Sequence, residues 1–304
     1  MREPPPDVAD AEVLAEVRRV WDSDIDAVTY QAVGFGAHHW AAYAGGGARL
    51  FVTYDVPVAT AGPDALADLE AAYAGAVALR DSGLEFVLAP RTTEVGRVTV
   101  PFGAGVLSST PWRTGVSDEP LDLVWTGLML GRLHDAPPPA GIPAWRPKVG
   151  PDFAEATARL VADREWGPGP HAGTAHDAVR RHLGAIERWT LRYHHLAGVA
   201  RGRRWVAAHG EPHEGNQLRT TSGRFLVDWD TLRLAPPELD LRTLVDAGAS
   251  LRDVGADPDM IELFDLQWRL DEISQYSAWF AAPHTGTRDD EIAIGGLLEE
   301  LTRP

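Results

Sequence analysis

Glu211, Asn216 and Asp228 are the residues of this chain whose types and spacing point to chemistry. They stand in His209-Gly210-Glu211-Pro212-His213-Glu214-Gly215-Asn216 and in Phe225-Leu226-Val227-Asp228-Trp229-Asp230. An acid, an amide five positions on, and a second acid at the end of an apolar strand twelve positions further are the groups that phosphoryl transfer requires, because that reaction needs positioning and charge neutralisation more than covalent help. Glu211 suits the carboxylate that orients an attacking hydroxyl and takes its proton. Asn216 and Asp228 suit the oxygen ligands of Mg²⁺, a hard cation content with one or two protein oxygens plus phosphate. His209 is expected to fix the loop by hydrogen bonds. A zinc pair with His213 is disfavoured, since Gly210 and Pro212 keep the two histidines off a common helical face.

These groups need a scaffold, and the pattern upstream describes one. Residues 12–22 have helical periodicity. Ala27–Val33, His39–Tyr43 and Arg49–Val56 read as strands, with Gly34-Phe35-Gly36-Ala37 and Gly45-Gly46-Gly47 as the turns between them. Pro63–Asp81 reads as an amphipathic helix, followed by strands at Glu85–Ala89 and Arg97–Phe102. Gly103-Ala104-Gly105 reads as a hinge, so a nucleotide is expected near Val100 and Phe102. Leu121–His134 is apolar nearly all round and is expected to be a buried helix stopped by Pro137-Pro138-Pro139. Residues 140–170 read as an irregular insertion, His176–Gly198 as a long helix, and residues 241–301 as a helical, acidic tail. The expected class is α+β: a two-lobed, protein-kinase-like fold with a small antiparallel-sheet lobe over residues 1–104 and a mostly helical lobe over residues 105–304.

Composition narrows the partners. The chain has 304 residues, 44% of them hydrophobic and 24% charged, as in an ordinary globular protein. A net charge of −16 opposes nucleic-acid binding and suits a cationic small molecule. There is no cysteine, which excludes thiol catalysis and disulfides. No apolar run approaches the ~18 residues of a membrane span, and a cytoplasmic location is expected.

The pair HGEPHEGN and LVDWD resembles the active-site motifs of the aminoglycoside phosphotransferase and choline kinase-like family, H-G-D-x-H-x-x-N followed by I/V-D-[WF]-[ED]. Leu130-Gly131-Arg132-Leu133-His134 and Ala235-Pro236-Pro237-Glu238-Leu239-Asp240-Leu241 resemble further family segments. The resemblance implies a kinase that moves the γ-phosphate of ATP or GTP, with Mg²⁺, to a hydroxyl of a small polar molecule such as an aminoglycoside or aminocyclitol antibiotic. It also implies that Asp240 braces the catalytic loop. Asp230 and Glu238 are the acceptor-side candidates.

Two departures stand out. Glu211 replaces the family's aspartate, lengthening the reach by about 1.5 Å. Thr53 occupies the third-strand position where kinases carry a phosphate-gripping lysine. Lys148 is the only lysine in the chain. The backbone amides of Gly34, Gly36 and Ala37 are the first candidates to replace it, as an anion nest, with His38 and His39 next to them. Two alternatives follow: a pseudokinase that binds nucleotide or metabolite without turnover, motivated by Thr53 and Glu211, and a metabolic kinase that differs only in its acceptor. The presence of both Asn216 and Asp228 argues against the pseudokinase.

Overall fold

The computed structural model describes residues 3–34, 36–56, 64–117, 120–162 and 166–303. Phe35 of the first turn, Pro63 at the start of the second helix and residues 163–165 of the insertion lie outside the described residues. Two compact units are present: residues 1–145 with 205–250, and residues 146–204 with 251–304.

The first unit begins with helix α1 (Asp10–Val20), then strands β1 (Ala27–Gln31), β2 (His38–Ala44) and β3 (Gly47–Asp55). Gly45 and Gly46 both take positive φ between β2 and β3, the conformation a two-residue hairpin demands. Helix α2 (Ala65–Asp81) follows, then strands β4 (Thr99–Phe102) and β5 (Gly105–Pro111). Among the described residues these strands form one antiparallel sheet in the order β1-β2-β3-β5-β4. Its α1-facing side buries Val13, Val17, Trp40, Ala42, Leu50, Val52 and Leu107. Trp40 also donates from Nε1 to Asp10, 2.7 Å away, which fastens α1 to β2.

Two expectations are corrected here. Glu85–Ala89 is not a strand. It makes one isolated parallel bridge, Val87 to Leu226, flanked by Leu226 N–H to Phe86 O (2.8 Å) and Leu88 N–H to Leu226 O (3.0 Å). The apolar run is satisfied by burial rather than by a ladder. The fifth strand is β5, and Gly103-Ala104-Gly105 is the β4–β5 hairpin turn, not a hinge. Gly105 is required there because a Cβ would stand 2.0 Å from the Asp55 carbonyl oxygen. The sheet therefore continues to Pro111, past the boundary expected at residue 104.

After β5 the chain forms β6 (Gly115–Ser117) and helix α3 (Leu123–Asp135). Asp122 caps α3 by accepting from the Trp125 N–H at 3.0 Å. Only one face of α3 is buried, through Thr126, Leu130, Leu133 and His134; Val124 and Leu128 are 73% and 62% exposed. The unit then resumes with β7 (Val206–Ala208), β8 (Gln217–Thr220), β9 (Gly223–Leu226) and β10 (Arg233–Ala235), and closes with the helix Glu238–Asp246. Strands β6, β8 and β9 make a three-stranded antiparallel sheet, and β7 pairs with β10.

The second unit is helical. Residues 140–170, expected to be irregular, contain the helix Phe153–Ala162, whose Val161 packs with Ala178, Val179 and Ile186 of the helix Ala172–Ala200. The helices Pro258–Ala281 and Arg288–Thr302 complete that core through Ile273, Phe280, Ala293 and Leu297. No helix among the described residues is long and apolar enough to cross a membrane.

Candidate active site

The loop between β7 and β8 carries Glu211 and Asn216, and the turn after β9 carries Asp228. Hydrogen bonds tie Glu211 to Asn216 and to His209, and both Asn216 and His209 to Val227, the residue before Asp228. Asn216 Nδ2 donates to the Glu211 carbonyl at 3.0 Å, and the Val227 N–H donates to the Asn216 carbonyl at 3.0 Å. His209 Nε2 donates to the Val227 carbonyl at 2.9 Å, while its Nδ1 accepts from the Glu211 N–H at 3.3 Å. These two bonds define the imidazole as neutral with its proton on Nε2. Complete burial agrees, pushing the His209 pKa down to about 4. Its ring centroid lies 4.5 Å from that of Trp229. His209 thus positions its neighbours and is walled off from any substrate.

Asp240 is the brace beneath this loop. Fully buried, it accepts from the His209 N–H at 3.0 Å and the Gly210 N–H at 2.7 Å, and contacts His134 Nε2 at 2.8 Å. Two anchors fix β8: Gln217 Nε2 donates to Thr126 of α3 and to the Pro212 carbonyl, each at 2.9 Å. An Arg224–Asp122 ion pair ties β9 to the start of α3.

Asp228 has φ +64, the left-handed backbone that among the described residues it alone adopts without being glycine. Such strain in a short acidic residue is tolerated at functional turns. Its side chain is exposed, but within a concavity. The recessed setting, followed by the charges of Glu211 and Asp55, pushes its pKa up to about 7, and a hydrogen bond with Asp230 opposes the rise. Asp55, at the end of β3, is likewise raised to about 7, first by burial and then by Asp230. Tyr73 of α2 donates its hydroxyl to Asp55 Oδ2 at 3.3 Å.

The concavity is a cavity of about 380 Å³, within the range of small-molecule sites. Asn216, Val227 and Asp228 line part of it, and Thr53, Tyr73 and Ser108 line another part. Thr53 pairs with His39 on β2 and with Ser108 on β5. Far from Asp228 in sequence, Phe51 and Trp112 also line it, with centroids 6.2 Å apart; His39 stacks on Phe51 at 4.9 Å. An apolar and aromatic lining of this kind accommodates a flat heterocycle.

Not every expected nucleotide-side residue is here. Gly34 and Thr53 line the cavity, and Gly36 and Ala37 do not. His38 faces the other side of β2, 3.2 Å from the Tyr30 hydroxyl, and its neighbour His39 takes the cavity side, as strand alternation dictates. Val100 is buried in the α1-facing core, and Phe102 packs edge-on against Tyr54, because the expected hinge is a hairpin. Asp230 stands beside Asp228, and Glu238 is buried in the first turn of its helix. Glu70 on α2 accepts from the Val98 and Thr99 N–H groups at 3.0 and 2.8 Å, which commits it to the start of β4. Leu88, Thr110, Trp112 and Arg113 were missed. For Thr110 the signal is weak: Gly105–Pro111 (GVLSSTP) has too few apolar residues to advertise an inner strand.

The donor set fits a hard cation. Bonding Asn216 Nδ2 to the Glu211 carbonyl leaves Oδ1 as the oxygen to offer, and the Asp228 carboxylate is open to the cavity. Beyond burial, Glu211 and Asp55 help to raise the Asp228 pKa and Asp230 helps to raise that of Asp55, a crowding of carboxylates that a bound divalent ion would relieve.

The family model described as "APH: Phosphotransferase enzyme family" matches residues 61–279. Protein StrN of Streptomyces griseus is 32% identical over 251 residues, covering 76% of this chain and 75% of that protein. Among solved structures, the spectinomycin phosphotransferase APH(9)-Ia in complex with ADP and spectinomycin superposes with a TM-score of 0.73 at 14% identity, covering 98% of this chain and 96% of the other. The choline kinase LicA from Streptococcus pneumoniae does so with a TM-score of 0.55 at 12% identity, covering 95% and 97%.

Proposed function

The chain belongs to the phosphotransferase enzyme family, and from that premise we propose that it transfers the γ-phosphate of ATP or GTP to a hydroxyl of a small, polar, cationic antibiotic of the aminoglycoside or aminocyclitol kind. The observation that supports this reading is that Asn216 and Asp228 line one cavity while Asn216 bonds the Glu211 carbonyl at 3.0 Å and accepts from the N–H of Val227, the residue before Asp228, at 3.0 Å.

In this reading Glu211 orients the acceptor hydroxyl and accepts its proton as the oxygen attacks the γ-phosphorus and the bond to the β-phosphate breaks. Asn216 Oδ1 and the Asp228 carboxylate hold Mg²⁺, which when bound neutralises charge on the phosphates. His209 and Asp240 keep the loop in register. Phe51 and Trp112 flank the purine. The backbone of Gly34 covers the phosphate end, and we assign the nucleotide-binding part of the chain to residues up to about 111. A net charge of −16 favours a cationic acceptor by long-range attraction and disfavours nucleic acid. We place the protein in the cytoplasm, where ATP and GTP are available.

The acceptor class leans on the fold likeness to a spectinomycin phosphotransferase. A choline kinase shares the fold, so the metabolic-kinase reading differs only in acceptor. The test is a nucleotide-consumption screen with ATP and GTP against aminocyclitol and aminoglycoside antibiotics, choline and other hydroxylated amines. Turnover dependent on an antibiotic is the expected result. Turnover with choline-like amines alone would replace the antibiotic by a metabolite, and none with any acceptor would return the pseudokinase reading.

A further inference from the structure

The third-strand position that in kinases carries a lysine to the nucleotide phosphates is Thr53, whose side chain ends at a hydroxyl. No other lysine can serve: Lys148, the only one in the sequence, pairs with Asp271 at 3.5 Å. Arg113 is the one arginine among the cavity-lining residues, and its guanidinium turns to the Trp112 carbonyl at 3.4 Å.

His39 on β2 stands directly across the sheet from Thr53, and both residues line the cavity. Two contacts from β3 fix its ring. One face stacks on Phe51, with centroids 4.9 Å apart and planes 25° from parallel. Its Nδ1 lies 3.2 Å from the Thr53 hydroxyl oxygen. The other nitrogen, Nε2, has no hydrogen-bond partner among the described residues. It stands beside Gly34, which also lines the cavity: a Cβ there would lie 3.3 Å from Nε2. Glycine takes φ +68 at this point and leaves the approach to that nitrogen free of a side chain. Burial, above all, pushes the His39 pKa down to about 4, so the ring is neutral near pH 7 and carries one proton for two nitrogens.

We propose that His39 is the phosphate-contacting residue that stands in for the third-strand lysine: Thr53 donates its hydroxyl to Nδ1, which keeps the ring proton on Nε2, and Nε2 donates to a nucleotide phosphate oxygen beside Gly34. Thr53 is then a positioning residue that acts through the imidazole. The proposal rests on the kinase reading above. A directed N–H on a held ring replaces a point charge on a flexible stem, so less ordering is needed when nucleotide binds. A hydrogen bond to a charged acceptor changes affinity by about tenfold to 100-fold.

The test is calorimetric titration in Mg²⁺ with ADP and with adenosine, or with GDP and guanosine where wild type prefers guanine. His39→Phe keeps a ring against Phe51 and removes both nitrogens. It is expected to weaken ADP binding by about tenfold or more and to leave adenosine within about threefold of wild type. His39→Gln, which can place an amide N–H near the former Nε2, is expected to recover most of the loss. A structural role alone would weaken ADP and adenosine alike, with no recovery by glutamine. A second measurement needs only folded wild type: with ¹⁵N-labelled histidine, the His39 Nε2 resonance is expected to be protonated and to move on addition of ADP. It decides the matter if His39→Phe does not fold. Equal losses for ADP and adenosine, ADP affinity of folded His39→Phe within about threefold of wild type, or an Nε2 that carries no proton or ignores ADP overturns the proposal. Absence of ADP and GDP binding to wild type refutes the kinase reading itself, a result distinguishable because it involves no variant.

Discussion

His134 Nε2 and Asp240 Oδ2 meet at 2.8 Å with both side chains buried, and the same carboxylate holds the N–H groups of His209 and Gly210. Asp240→Ala leaves two backbone donors and an imidazole without their acceptor inside the protein. Breaking a buried network of this kind costs about 3–5 kcal/mol. Urea denaturation should show the unfolding free energy falling by that amount, through a lower midpoint at unchanged slope, accompanied by lost turnover because Glu211 follows Gly210 directly. A loss below about 1 kcal/mol would show that the contacts are incidental.

Asp228 lets backbone and metal roles be separated. Its φ of +64 is one that Asn tolerates and Ala does not. Asp228→Asn should therefore keep the stability of the wild type while removing Mg²⁺-dependent turnover. Asp228→Ala should lose turnover and about 1–2 kcal/mol besides. Thermal shift with and without Mg²⁺ reads the same assignment: the ion should stabilise wild type and leave Asp228→Asn unmoved. Full activity of Asp228→Asn would sink the metal assignment.

Gly210 carries a tighter constraint. Its φ is +100, and an added Cβ would stand 2.8 Å from the Thr231 hydroxyl oxygen and 3.1 Å from the Thr231 carbonyl oxygen. Thr231 cannot retreat freely, because its hydroxyl donates to the His209 carbonyl at 2.7 Å. Gly210→Ala is expected to cost at least about 1 kcal/mol in a thermal melt, combining strain with crowding, and to lower kcat more than it raises KM for nucleotide. Unchanged kcat would show that the loop absorbs the shift without displacing Glu211.

The parts of this site legible in the sequence are those where chemistry dictates residue type. Glu211, Asn216 and Asp228 can be read together because a base and two oxygen ligands leave few substitutes; in the structure Asn216 bonds the Glu211 carbonyl and the N–H of Val227, beside Asp228, bonds the Asn216 carbonyl. Less legible was anything settled by pairing. Glu85–Ala89 has a strand's composition, yet only Val87 finds a bridge partner, whereas Gly105–Pro111 lacks that composition and lies between β3 and β4. A one-residue ambiguity in register separated His38 from His39, and only the sheet decides which faces the cavity. The Tyr73–Asp55 contact joins a helix to a strand across 18 positions and leaves no local signature.

His209 predicts how stability responds to acid. Burial holds its folded pKa near 4, against an unperturbed value of about 6.5. Between those values the unfolded chain binds a proton that the folded one refuses, so stability rises with pH across this window and is lost as pH falls from about 6.5 to about 4. The full contribution is about 3 kcal/mol. His209→Gln can still donate to the Val227 carbonyl but does not titrate. Denaturation curves from pH 7 to pH 4 should therefore fall less steeply for the variant, and parallel curves would contradict a neutral, buried imidazole.

Glu211 separates the enzyme from a silent binder. Its backbone is held from both sides, by the N–H bond to His209 and the carbonyl bond from Asn216, so substitutions at its side chain leave the loop in place. Glu211→Ala should then bind ADP with Mg²⁺ about as well as wild type while turnover drops by about 10²-fold or more, the range of general-base assistance. Glu211→Asp keeps a carboxylate and draws it back by about 1.5 Å, so activity should survive, with the change confined to kcat. Equal rates for wild type and Glu211→Ala would remove the base from this position. Weakened ADP binding in Glu211→Ala would instead mean that the side chain serves the nucleotide, and the proton would have to leave the acceptor hydroxyl by another route.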